Sequence, residues 1–271
     1  MTAEEHLKAG NLNEALASAQ DAVRKSPAEA RPRILLFQLF CVLGEWERAF
    51  TQLNVLKDLD SECLLLAQIF TSVIGCETFR AEVFAGKRSP LIFGEPEEWI
   101  GLLVRASQLV AQSEFAAAQK LREQAFEAAP AASGKINDAA FEWIADADSR
   151  LGPLLEVMLE GKYYWVPFSR IRSLIVEPPV DLRDLVWTPA HFVWINGGEA
   201  SGFIPTRYPG SEKAGEFAYN LARKTTWQEQ PGDTYLGLGQ RVFATDQGEY
   251  PLLEAKRIEF SAPPASSTPE R

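Results

Sequence analysis

The sequence predicts an α+β protein. Its first part reads as a TPR-like array of α-helical repeats, and its second as an aromatic-rich, mainly β domain. The helical expectation rests on a recurring phrase. Gly10-Asn11-Leu12-Asn13-Glu14-Ala15 returns 34 residues later as Gly44-Glu45-Trp46-Glu47-Arg48-Ala49, and again 69 residues on as Ser113-Glu114-Phe115-Ala116-Ala117-Ala118. Each copy is a turn, then a large apolar residue, then a small residue three positions on. Pro27 and Pro130 follow Leu12 and Phe115 by fifteen residues, and Ser61 holds that place after Trp46. A period near 34 residues with this punctuation is the signature of tetratricopeptide helix pairs. The β expectation rests on residues 161–260, which hold sixteen of the 29 aromatic residues and eight prolines. Short strands separated by turns account for such a stretch.

The elements follow in order. Residues 3–25 read as a short helix, a turn at Gly10-Asn11 and a second helix, which Pro27 stops. Arg33 to Leu43 is apolar nearly all round, so it belongs between neighbours. Trp46 to Leu59 pairs with it, and Glu62 to Phe84 makes a further helix. No repeat phrase follows near position 80, so the array is short and irregular. Gly86 to Pro96 is a loop-rich insertion. Trp99 to Ala111 and Phe115 to Ala128 form the last clear pair, which closes the repeat segment at residue 130. Residues 131–160 read as a connecting helix, started at Asn137 or Asp138, interrupted by Gly152-Pro153 and resumed by Leu154 to Leu159. Strands are expected at Tyr163–Val166, Ser173–Val176, His191–Ile195 and Gly202–Ile204, with a turn at Asn196-Gly197-Gly198. A second hairpin pairs Gln240–Thr245 with Tyr250–Phe260. A helix at Glu212–Lys224, with Ser211 as its cap, interrupts them. Residues 261–271, rich in Pro, Ser and Ala, read as a disordered tail.

Composition excludes several classes of function. The net charge is −10, of which residues 1–160 carry −9, so nucleic acid and anionic membrane surfaces are poor partners for the helical part. No long apolar run suggests a membrane span, and the acidic start lacks the features of a secretory signal. Cys41, Cys63 and Cys76 form no CxxC pair and read as buried thiols of a reducing, cytoplasmic compartment. With only His6 and His191 besides, no metal site and no cofactor are expected. Gly237-Leu238-Gly239 opens no helix and reads as a bend before a strand rather than a nucleotide loop. The densest polar cluster is Glu142, Asp146 and Asp148 with Arg150 and Glu156. On a helix, Glu142 and Asp146 would share a face and suggest a cation site or an acid/base pair. The plainer reading is a polar face that orders the junction, with Arg150 pairing a carboxylate. The aromatic phrases at Trp187-Thr188-Pro189, Tyr208-Pro209-Gly210 and Thr226-Trp227 read as core.

The phrases Trp143…Asp146-Ala147-Asp148-Ser149-Arg150-Leu151-Gly152-Pro153 and Gly161-Lys162-Tyr163-Tyr164-Trp165-Val166-Pro167 resemble the ImpE family, also called SciE or TagJ. Leu182-Arg183-Asp184-Leu185-Val186-Trp187-Thr188-Pro189-Ala190, Ile204-Pro205-Thr206-Arg207-Tyr208-Pro209-Gly210-Ser211, Thr225-Thr226-Trp227 and Gly237-Leu238-Gly239-Gln240-Arg241 carry the same resemblance. That family accompanies bacterial type VI secretion clusters. The resemblance implies a non-enzymatic cytoplasmic accessory protein that binds a helix near the N-terminus of the small sheath subunit (TssB). It also implies a link to sheath turnover by the ClpV unfoldase. It supplies no catalytic residue and no residue-level partner motif.

Stacked helix pairs leave a concave groove that can take an amphipathic helix. The positions expected to face it are Arg31, Ile34, Gln38 and Cys41 in the second repeat and Ile100, Leu103 and Ser107 in the last. The second domain or the 86–96 insertion can equally fold across it. Two rival readings stand beside the adaptor. One is a general scaffold unrelated to secretion. The other is an enzyme domain held by the repeats, which requires a polar pocket placing Asp146, Asp148 or His191 beside Arg207 or Arg241.

Overall fold

The computed structural model describes residues 2–261, so the expected tail lies, apart from Ser261, outside the described residues. The protein is α+β, with helices filling the first half and sheet dominating the second. Seven helices come first: α1 (Ala3–Lys8), α2 (Leu12–Lys25), α3 (Ala30–Leu43), α4 (Trp46–Leu59), α5 (Leu64–Phe84), α6 (Glu98–Ala111) and α7 (Phe115–Ala128). The short β1 (Leu91–Ile92) lies between α5 and α6.

The recurring phrase has a single geometry. Gly10, Gly44 and Ser113 all have left-handed backbones, with φ of 79°, 73° and 63°. In each turn this residue's N–H reaches the carbonyl three residues back, and the next N–H reaches five back: Leu7 and His6, Cys41 and Phe40, Val110 and Leu109. These bonds satisfy orphan carbonyls at the end of one helix and reverse the chain into the next. Gly86 repeats the turn after α5, bonding Val83 and passing Lys87 N–H to Glu82. Here an insertion follows instead of a partner helix, and this is the physical form of the missing fourth phrase.

The sheet strands are β2 (Gly134–Ile136), β3 (Ala139–Phe141), β4 (Ile144–Asp146), β5 (Leu154–Leu159), β6 (Lys162–Pro167), β7 (Ile171–Val176), β8 (Trp187–Trp194) and β9 (Glu199–Pro205). A one-turn helix α8 (Phe217–Asn220) precedes β10 (Thr225–Gln230), β11 (Thr234–Gly239), β12 (Val242–Thr245), β13 (Gly248–Pro251) and β14 (Arg257–Phe260). Nine strands form one sheet in the order β1-β6-β5-β9-β8-β7-β14-β2-β3, all antiparallel except β1 against β6. The hairpin β10-β11 and the set β13-β12-β4 complete the structure.

Three expected elements are corrected. The connecting helix at 131–160 is four strands, β2 to β5. Leu154–Leu159 shows no alternation because both faces of β5 are buried, Glu156 included. Leu154 and Met158 join the core shared with the helices, and Leu155, Val157 and Leu159 join the core on the far face. The helix at Glu212–Lys224 is reduced to a 3-10 turn at Ser211–Lys213 and α8, because Gly215 at φ 83° and Ala222 at φ 51° break its backbone. The second hairpin pairs β12 with β13, while β14 leaves for the large sheet beside β7. The unexpected hairpin β10-β11 includes Gly237, a strand residue rather than a bend. A Cβ there would stand 2.2 Å from the Tyr208 ring.

One core joins helices to sheet. Phe70 of α5 packs against Trp187 and Phe203, Phe79 against Tyr163, and Phe84 against Trp165. By length and composition, Ser61–Phe84 is apolar enough to cross a membrane. Here it lies across the sheet, with Glu77 and Arg80 buried on its inner side. The three cysteines are free and buried, and burial pushes the Cys76 thiol up to about 12.

Ser113 is the one non-glycine among these left-handed turns, a conformation that costs an ordinary L-residue about 1–2 kcal/mol. Ser113→Gly removes that cost and gives back part of it through the freer unfolded chain. The expected net effect is a stabilisation of about 0.5–1 kcal/mol, read as a higher urea midpoint with unchanged slope.

Candidate partner-binding site

The polar cluster is a buried ion network rather than a helix face. Asp146 is on β4 and Glu156 on β5, both fully enclosed, while Glu142 is exposed. Arg80 crosses from α5 and grips Glu156 with two bonds, Nε to Oε1 at 2.5 Å and Nη2 to Oε2 at 3.1 Å. Its Nη2 also donates to the Arg207 carbonyl at 2.8 Å. Arg241, between β11 and β12, forks to Glu156 and Asp146 at once. Tyr163 donates to Glu156 at 2.5 Å and accepts from the Trp165 indole at 2.7 Å. Tyr208 donates to Asp146 at 3.0 Å. Beside them Asp148 holds Arg150, with Nε to Oδ1 at 2.8 Å, and accepts from Gly237 N–H at 2.8 Å.

The electrostatics follow from this wiring. Burial alone would raise the Glu156 carboxyl, but Arg80 and Arg241 outweigh it and hold it down at about 2. Burial raises Asp146 to about 6 despite Arg241. Arg207 is used differently. Its guanidinium lies against the end of α3 and donates to the carbonyls of Val42 at 2.6 Å and Cys41 at 3.3 Å, and to Asn220 at 2.7 Å. Those carbonyls are helix-terminal acceptors, where a cation is favoured.

The enzyme reading asks for Asp146, Asp148 or His191 beside Arg207 or Arg241 in a polar pocket. Asp146 and Arg241 do meet, but each is consumed by the other and by buried partners. His191 lies elsewhere, on β8, against Ser201 and Glu199. Its cleft, about 570 Å³ between α5 and the β8-β9 pair, includes none of the network residues. Among the described residues, no three His, Cys, Asp or Glu side chains converge as a metal site would need.

The expected groove residues divide. Arg31, Ile34 and Gln38 line one cleft of about 720 Å³ between α1, α2 and α3. Ala19, Ala22 and Leu35 contribute to its apolar floor, and Glu4, Asp21 and Lys25 are charged groups in its lining. Cys41, Ile100, Leu103 and Ser107 are not on that surface. All four are buried, Cys41 beneath Arg207, and Ile100 and Leu103 in the shared core. The physical reason is that the second half packs onto the helices. Residues 182–185 lie against α3, where Leu182 N–H donates to Gln38 at 3.1 Å, and Asp181 joins the lining of the cleft. Sequence periodicity identifies the helix face but not the loop that covers it. Arg80, Arg207 and Arg241 had no local signal as a group, because their partners, Glu77 beside Arg80 apart, are distant in the chain.

Paired helices braced on a large sheet, with a buried ion network at the joint and a cleft between the first helices, define a two-part α+β protein. Residues 138–259 match the family model described as ImpE protein. The chain is 49% identical over 260 residues to the type VI secretion system accessory component TagJ of Pseudomonas aeruginosa strain PAO1, covering 96% of this chain and 91% of that protein. The crystal structure of protein VPA1032 from Vibrio parahaemolyticus superposes with a TM-score of 0.87 at 26% identity, covering 96% of this chain and 97% of that one. The chain belongs to the ImpE family.

Glu156→Gln leaves Arg80 and Arg241 buried without their shared charge, which costs about 3–5 kcal/mol near neutrality. A depressed carboxyl stabilises the fold above its unfolded value and stops doing so as pH falls towards the folded one. The deficit of the variant is therefore expected to stay constant above about pH 5 and to narrow from there towards pH 2. Urea unfolding of both proteins across that range checks this. Asp146, raised rather than lowered, contributes in the opposite direction between its unfolded value and about 6.

Proposed function

We propose that this protein is an accessory component of a bacterial type VI secretion system, acting in the cytoplasm as a non-enzymatic adaptor. The observation that carries the proposal is the 49% identity to a protein of that name along 96% of the chain. In this reading the three helix pairs, α1-α2, α3-α4 and α6-α7, are TPR-like units. Their phrase-bearing turns share one geometry, which supports a common repeat despite the irregular middle.

The proposed partner is the N-terminal helix of the small sheath subunit (TssB). Binding it would modulate sheath assembly or the ClpV-dependent disassembly of the sheath. The α1-α2-α3 cleft supports this mode through its apolar floor and charged rim, which suit an amphipathic helix. In this reading Arg31 and Ile34, which line the cleft, touch the helix, while Gln38 accepts from Leu182 N–H in the covering loop. The fully paired Asp146, Glu156, Arg80 and Arg241 cluster serves the frame.

Two measurements test the proposal. The small sheath subunit should bind in a pull-down, and the same subunit without its N-terminal helix should not. Equal capture of both forms contradicts the proposal. Ile34→Asp, at a half-buried cleft position, should weaken binding at least about tenfold, the scale of one lost apolar anchor. An unchanged circular dichroism spectrum would separate this effect from unfolding.

A further inference from the structure

The large sheet runs out from under α5. On β8, Trp187 lies beneath that helix against Phe70. Pro189, His191 and Val193 alternate onto the same face but are only half-buried. On β9, Phe203 packs against Phe70, while Ser201 and Glu199 on the same face are exposed. The register sets these residues in rows. Ile175, His191 and Ser201 stand opposite one another on β7, β8 and β9, and Ser173, Val193 and Glu199 form the next row. The intervening residues of β8, Ala190, Phe192 and Trp194, belong to the far core. One face of these strands is therefore sealed and the other open.

α5 forms the wall of this open face. Leu65 and Ile69 are four residues apart, so they share one side of the helix, and they are 66% and 36% exposed. Both line the cleft of about 570 Å³ together with Pro189, His191 and Phe203. Ile175, in the same row as His191, is 37% exposed. Large apolar groups on both walls of one corner mark an interaction surface.

The geometry and the charge define the occupant. β7 and β8 are hydrogen-bonded on both edges, so an extended peptide finds no free backbone to pair with there. A sheet face beside a packed helix is completed by a second helix. The charged lining of the cleft is Glu160 and Glu177, both exposed, and among the described residues it includes no lysine or arginine. Glu199 adds a carboxylate at the rim, 3.4 Å from His191 Nε2. Arg257, beyond Ile175 on the same face, is held by Glu259 of its own strand at 3.0 Å. An acidic rim around an apolar floor selects a cationic partner. A second copy of this chain, with a net charge of −10 and the same rim, is a poor match.

We propose that this corner is a second docking site, taking an amphipathic helix of a partner protein. The helix would set its apolar stripe against Leu65, Ile69 and Pro189 and its Lys/Arg flank against Glu160 and Glu177. The site is separate from the α1-α2-α3 cleft and stands independently of the sheath proposal.

The test uses two synthetic helical peptides of about 18 residues, or about five turns, with one shared leucine stripe. One carries lysines along its flanks and the other glutamates. Fluorescence anisotropy with the full chain at low salt should show the lysine peptide binding at least about tenfold tighter, with the difference shrinking as salt rises. Glu160→Lys with Glu177→Lys should reverse the preference. Leu65→Asp with Ile69→Asp, at exposed positions, should weaken the lysine peptide at least about tenfold. Ile34→Asp, in the other cleft, should leave its affinity unchanged. Methyl NMR of the full chain should show the peptide shifting the Ile69 and Ile175 signals and not that of Ile34. Equal affinity for the two peptides, or no binding of the lysine peptide at millimolar concentration, overturns the proposal. So does full affinity in the Leu65→Asp/Ile69→Asp chain, or a preference that charge reversal leaves in place. A dimer of the unaltered chain in sedimentation that Leu65→Asp dissociates overturns it as well, because the occupant is then a second copy.

Discussion

Glu156 carries a negative charge in the middle of a strand, at a place water does not reach. An unpaired carboxylate there would cost several kcal/mol. Arg80 from the helices and Arg241 from the sheet half make the site tolerable, and each reaches Glu156 only when α5 lies across β5 and the segment before β12 folds back. Asp146 then takes the second arm of Arg241, and Tyr208 and Tyr163 saturate the remaining oxygens. The network therefore requires the helical half, the central strands and the last strands to be in position together. Its value is mutual dependence rather than net attraction, since buried pairs do little better than break even against apolar packing.

The rest of the fold is consistent with that constraint. The face of the sheet towards α5 shares one core with the helices, and the opposite face has its own. Arg207 ties the segment after β9 to the end of α3, and Arg122 of α7 ties the β10-β11 hairpin through the Gly232 and Asp233 carbonyls and Thr234. Arg80, Arg207 and Arg122 each cross the joint with most of their donors used, and Arg170 crosses it towards Phe93, Glu95 and Glu97. What the joint leaves open is a set of surface clefts, and Asp181 of the sheet half lines the one between the first helices.

Much of the helical half was legible in the sequence, because its turns need a left-handed residue and a left-handed residue leaves a mark. Gly10, Gly44 and Ser113 sit where the phrase places them, and the helices begin within a few residues of expectation. Leu154–Leu159 was not legible, since a strand buried on both faces shows no alternation. The helix read through Trp143 failed for a related reason: short apolar runs carry no period long enough to separate helix from strand. The residues expected to face a groove divide between a cleft and the interior. Helical spacing finds Arg31, Ile34 and Gln38 on one face, but the burial of Cys41, Ile100, Leu103 and Ser107 depends on contacts with distant segments. The Arg80–Glu156 pair spans 76 residues and the Arg241–Glu156 pair 85, so no local pattern announces either.

If the network couples the halves, the protein has no stable helical array without its sheet. Equilibrium urea unfolding measures this directly, with far-ultraviolet circular dichroism reporting the helices and tryptophan fluorescence reporting mainly the sheet. Four of the seven tryptophans, Trp165, Trp187, Trp194 and Trp227, lie in its strands. The account predicts coincident transitions with one midpoint, the mark of a single cooperative unit. Two separated transitions, with helical signal surviving after the strand tryptophans have become exposed, would contradict it.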